Sequence, residues 1–160
     1  MIKDALAADS VERFSHKPSR RRLSRYGPLI IWASLIFIAS SSLMSASHTG
    51  AMMGPLLHWL FPHASEPTLA IIHFAVRKAA HFTEYAILAL LAARAFRTSS
   101  RELLRQRWFW VSLLFIVIYA LSDEYHQSFV PSRTASIYDS MIDSAGGLTA
   151  LVWRRVRGRA

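Results

Sequence analysis

From Pro28 to Ser47 the chain runs 20 residues without a formal charge. A helix rises about 1.5 Å per residue, so a run of this length crosses a hydrocarbon core about 30 Å thick. Inside lipid every backbone N–H and C=O must find an internal partner, which leaves helices or a closed barrel. The long apolar runs here lack the two-residue alternation of a barrel strand. The expectation is therefore an all-α polytopic membrane protein.

Three further segments have spanning length but carry charge. Phe74 to Ala93 contains Arg77, Lys78, His81 and Glu84; Trp108 to Phe129 has fifteen uncharged residues and then Asp123, Glu124, Tyr125, His126 and Gln127; Ala135 to Trp153 contains Asp139 and Asp143. This predicts four transmembrane helices, at about 28–47, 74–93, 108–129 and 135–153. At 160 residues, 52% apolar, and with a mean hydropathy of +0.24, the chain is one domain, 28–153, flanked by basic tails at 1–27 and 154–160.

A net charge of +9 raises the question of a nucleic-acid partner, and its distribution argues against one. Seven Lys and Arg residues precede the first predicted helix, five lie between the second and third (Arg94, Arg97, Arg101, Arg105, Arg107) and four follow the last, sixteen of nineteen in all. Four spans put these clusters on one side, which the positive-inside rule makes cytoplasmic, with both termini inside. Met1 to Gly27 is expected as a mobile tail on anionic headgroups and Met52 to Phe61 as an interfacial segment of the outer loop. The apolar run is too long for a cleaved signal sequence and reads as an uncleaved first helix. With no cysteine there is no disulfide or thiolate site. His48, His58 and His63 share no helical spacing, so no metal and no cofactor is expected.

The intramembrane polar residues fall into stripes. At about 100° per residue, Lys78, His81, Glu84 and Tyr85 share one face of the second helix, Asp123, Glu124 and Gln127 one face of the third, and Asp139 and Asp143 one face of the fourth. Counted from the outer boundary all lie in the outer half of the bilayer. Facing lipid, each charge would cost about 2.5–3.5 kcal/mol, so the stripes are expected to face one another or water. With Arg133 from the tight outer turn 130–134, they define one candidate polar site. Arg77, Lys78 and Arg133 oppose five carboxylates, an imbalance that protonated His81, a protonated acid or a bound cation would offset.

The strings Arg77 to Leu91 (RKAAHFTEYAILALL), Ser122 to Asp139 (SDEYHQSFVPSRTASIYD) and Ile142 to Gly147 (IDSAGG), with Phe37 to Ser42, resemble the VanZ-like family over about residues 28–153. Ser132 stands where that family usually has Gly. The resemblance implies an integral membrane protein of the bacterial cytoplasmic membrane with an envelope-related role; the family is named for an association with low-level teicoplanin resistance.

Several classes of function fit this pattern. The ionisable residues can tie helices that have no hydrophobic drive to associate in lipid. They can form an outward-facing site for a lipid headgroup or cell-wall precursor, as an accessory or binding protein, with Lys78, Arg133 and His81 on anionic groups. They can serve a membrane enzyme acting on such a precursor, with Glu84 and Asp123 as acid and base. A proton-coupled transporter would need these short spans to oligomerise. No H-E-x-x-H or G-x-S-x-G motif supports catalysis, so the balance leans away from an enzyme. Ser40 to Ser42 read as packing residues, and His126 as an interfacial side chain off the stripe.

Overall fold

The computed structural model describes the backbone of residues 2–41, 46–130 and 136–158, and the side chains of 21–41, 53–130 and 136–158. Arg133, the outer turn around it, His48 and Ser42 lie outside the residues so described. Among them all regular structure is helical: α1 (Ile2–Ala39), α2 (Ala46–Leu60), α3 (Glu66–Arg97), α4 (Glu102–Gln106), α5 (Trp108–Gln127) and α6 (Ile137–Arg157). The four predicted helices correspond to α1, α3, α5 and α6. α2 occupies the predicted interfacial segment, and α4 is a single turn between α3 and α5.

The helix ends differ from the sequence reading for local reasons. α1 stops at Ala39, eight residues before the predicted end, because serine hydroxyls compete with the helical ladder. Ser41 Oγ donates to the Ile38 carbonyl at 2.6 Å, and Ser40 turns its hydroxyl toward α5. At its other end α1 reaches back to Ile2, so the basic tail continues the helix. α3 begins at Glu66, with Ser65 ahead of it and a proline in its first turn, where a missing N–H costs nothing. α6 continues to Arg157 and ends at Gly158.

Among the described residues α5 is the helix long and apolar enough, by length and composition, to cross a membrane. Its two faces are cleanly separated. Trp110, Leu114, Ile118, Leu121 and Tyr125 are exposed within an arc of about 80°, and Ser112, Ile116, Ala120, Asp123 and Gln127 are buried on the opposite arc. α1 and α6 share this pattern among the described residues: Ile30, Ile31, Leu35, Met141 and Val152 point outward while Ser40, Ser140 and Asp143 are buried.

The most extensive helix contact is α3 on α6, followed by α5 on α6. α3 presents small residues, Ala89, Ala92, Ala93 and Ala95, all buried. α6 carries Gly146, which meets α3 at Phe82, and Gly147, which meets α5 at Ile116. A Cβ on Gly146 would lie 2.2 Å from the Phe82 carbonyl oxygen, and one on Gly147 would lie 2.6 Å from Ile116 Cγ2. Close backbone approach of this kind is how helices associate where apolar burial supplies no drive. α1 leans on α3, and its aromatic donors tie it in: Trp32 Nε1 donates to the Glu84 carbonyl at 3.0 Å, and Tyr119 of α5 donates to the Ala33 carbonyl at 2.5 Å.

Candidate functional site

Away from the arginine-rich helix ends, the C-terminal turn of α5 and the N-terminal half of α6 bring polar residues together. Asp123 and Gln127 are one turn apart on the buried arc of α5. Gln127 Nε2 donates to Asp123 Oδ2 at 2.9 Å, and Ser40 Oγ of α1 donates to the same oxygen at 2.9 Å. Glu124, the next residue, accepts the backbone N–H of Ser136, which caps the start of α6. A carboxylate from one helix thus takes up an N–H that the first turn of another leaves unpaired.

The α3 stripe meets the α6 stripe in register. Lys78 is ion-paired with Asp139, His81 Nδ1 lies 3.4 Å from Asp143 Oδ1, and Phe82 abuts Gly146. The partners advance together along both helices, so α3 and α6 run in the same direction. Asp139 sits in the first turn of α6, where the helix dipole favours an anion.

Deeper in the bundle lies an incompletely bonded group of oxygens. Tyr85 is fully buried, Asp143 is 1% exposed and Asp123 is 3% exposed. The Tyr85 hydroxyl faces the carboxylates of Asp123 and Asp143. The Tyr85 hydroxyl is turned to the Asp123 carboxylate and Asp143 Oδ1 to His81 Nδ1, but among the described residues neither contact reaches good hydrogen-bond geometry, although native proteins bond the large majority of such buried atoms. Glu124 lies near Asp123, Asp139 and Asp143 as well, so four carboxylates gather here, two of them paired with Lys78 and His81. No three His, Asp or Glu side chains among the described residues stand close enough to share a metal ion.

Of the ten residues singled out from sequence, eight come together: Lys78, His81, Tyr85, Asp123, Glu124, Gln127, Asp139 and Asp143. Glu84 lies at the edge of this face, about 60° beyond His81 around α3, and its backbone carbonyl accepts from Trp32. Arg133 falls outside the described residues. Ser40, read as packing, is part of the network, and Ser140 is buried beside it with its hydroxyl 3.4 Å from the Ala120 carbonyl. His126 packs inward, stacked on Phe37 of α1 at 4.3 Å.

A model of the VanZ/LLP1 family matches residues 26–156, a span that contains every residue of this cluster. The chain belongs to the VanZ/LLP1 family. No curated protein and no solved structure matches the chain. For this VanZ/LLP1 protein the motif strings now have positions: the K-x-x-H-F-x-E-Y string supplies Lys78, His81 and Tyr85 from α3, the D-E-x-x-Q string supplies α5, and the two aspartates with the glycine pair supply α6.

Proposed function

We propose that this VanZ/LLP1 protein is a four-span protein of the bacterial cytoplasmic membrane, with both termini inside, whose buried acid cluster binds the polar head of an envelope lipid or cell-wall precursor from the outer side. The inverted distribution of side chains supports the membrane part. In water, exposing Ile118, Leu114, Trp153 and their neighbours while burying Asp143 would forfeit most of the hydrophobic gain. The arginine distribution supports the orientation.

The binding part rests on three buried oxygens, of Tyr85, Asp123 and Asp143, whose hydrogen bonding is incomplete among the described residues. Each such group costs about 1–3 kcal/mol, a cost that an incoming donor removes. The ligand chemistry this favours carries hydroxyl or ammonium donors. Lys78 is engaged by Asp139, so it orients the acid more than it offers a free cation to an anion. The enzyme reading is less well supported, because no H-E-x-x-H or G-x-S-x-G motif accompanies the cluster.

The alternative is a purely structural network, which the pairing of helices by each contact favours. Lipid retained through purification separates the two. Wild-type protein should carry an envelope lipid or precursor detectable by mass spectrometry, and Asp143→Asn should lower retention about tenfold, the equivalent of about 1.4 kcal/mol. The swap Lys78→Asp/Asp139→Lys should keep the melting temperature near wild type while also losing the lipid. Unchanged retention in both variants would leave the structural network as the sole role.

A further inference from the structure

The opposite end of the bundle carries a second, chemically different site. Where α3 ends, α5 begins and α6 ends, a cavity of about 500 Å³ is lined by Arg97, Arg107, Arg154 and Arg155 together with Trp108 and Trp110. That volume falls within the roughly 300–1,000 Å³ of small-molecule sites. Among the described residues no carboxylate lines it. The nearest acid in sequence, Glu102, is engaged by Arg105 at 2.7 Å and by Gln106 at 2.6 Å.

These arginines are positioned, and helix capping does not account for them. The carbonyl of Arg94 is taken by the Thr98 N–H at 3.3 Å and that of Arg154 by the Gly158 N–H at 3.1 Å, so backbone caps serve the ends of α3 and α6. The guanidinium of Arg97 lies 5.2 Å from the Trp108 ring and that of Arg155 lies 5.0 Å from the Phe109 ring, within cation–π range, which helps hold two cations at the cavity. The start of α5 opens into the same cavity, and no side chain caps it. Uncapped helix N–H groups and guanidinium forks suit the same ligand, a phosphate.

A second cavity, of about 550 Å³, adjoins the first through Arg97 and Arg154 and runs along α3 and α6 beside Leu90, Leu91 and Trp153. A soluble phosphate has no use for that apolar wall. A phosphate ester with hydrocarbon chains uses both halves.

We propose that the basic end of the bundle is a binding site for an anionic phospholipid, its phosphodiester in the arginine-lined cavity and its chains along Leu90, Leu91 and Trp153. The assignment rests on the membrane reading for access to the lipid, and it does not involve the acid cluster.

Native mass spectrometry of the full chain from nanodiscs of phosphatidylglycerol mixed with phosphatidylcholine tests it. Wild type should retain one phosphatidylglycerol about tenfold over phosphatidylcholine, a difference of about 1.4 kcal/mol. Arg97→Gln/Arg154→Gln should abolish the preference, while Arg21→Gln/Arg105→Gln, which removes the same charge outside the cavity, should keep it. Should the first variant fold poorly, Arg107→Gln/Arg155→Gln changes exposed arginines of the same cavity and should show the same loss. Equal retention of the two lipids by wild type, or equal loss in all variants, overturns the site. Displacement of phosphatidylglycerol by inorganic phosphate at millimolar concentration would assign the cavity to a soluble ligand and overturn the lipid reading. Loss of outer-face lipid in Asp143→Asn is a separate measurement, so either proposal can fail without the other.

Discussion

At the scale of single residues, the junction of α2 and α3 holds a histidine whose charge state the geometry dictates. His58 on α2 directs Nδ1 at the Gly54 carbonyl, 2.9 Å away, and Nε2 at Glu66 Oε1, 3.0 Å away. Both partners accept, so both contacts form together only when the ring carries two protons. The Gly54 carbonyl, and after it Glu66, therefore raise its pKa above the ordinary 6.5. The folded value is the higher one, so the contact contributes fully below the unfolded value and is lost as pH rises through the folded value. His58 is expected to titrate above 6.5 by NMR, and Glu66→Gln to bring the midpoint down; a midpoint at or below 6.5 in the wild type would show that the α2–α3 contact does not form. The pair is exposed, so its effect on overall stability is small.

At the scale of helices, the glycines of α6 are the most exacting positions. A methyl at Gly146 meets backbone, the Phe82 carbonyl, which moves only with all of α3. A methyl at Gly147 meets a side chain, Ile116, itself fully buried. Overpacking costs about 1–3 kcal/mol where neighbours can give. Gly147→Ala should fall in that range and Gly146→Ala above it, measured as loss of thermal stability in detergent. Ile116→Ala combined with Gly147→Ala should cost less than the sum of the two; simple additivity would mean that the two helices are further apart than described. These helices also show what a sequence can and cannot reveal. The stripes of α3, α5 and α6 were legible because a charge every three or four residues in an apolar helix has few places to go. Glu84 stands at the edge of a face about 120° wide, where helical spacing alone does not say which neighbour a side chain meets. Ser40 was passed over because a serine in an apolar helix packs as readily as it bonds, and its partner is 83 residues away. The end of α1 was missed because it depends on where serine hydroxyls point.

At the scale of the whole molecule, the absence of cysteine makes orientation directly measurable. A single cysteine at Ser65, between α2 and α3, should react with an impermeant maleimide in intact cells, and one at Ser100, between α3 and α4, only after permeabilisation. Labelling of both from outside, or of Ser100 alone, would remove the four-span arrangement. The two ends of the bundle would then face different compartments with different chemistry: an acid cluster short of donors on one side, and guanidinium groups around a phosphate-sized cavity on the other.

The near-touching backbones of α3 and α6 have a mechanical consequence. With the Phe82 carbonyl against Gly146, those helices form one stiff beam, and α5 is packed along it. α1 is packed against it through Leu29 and Ile36, and at the acid cluster it is joined to α5 by the Ser40 hydroxyl, shared between Asp123 and Gln127, and by Phe37 stacked on His126. Parting α1 from the cluster thus means breaking a handful of local contacts, whereas parting α3 from α6 means separating two backbones already in touch.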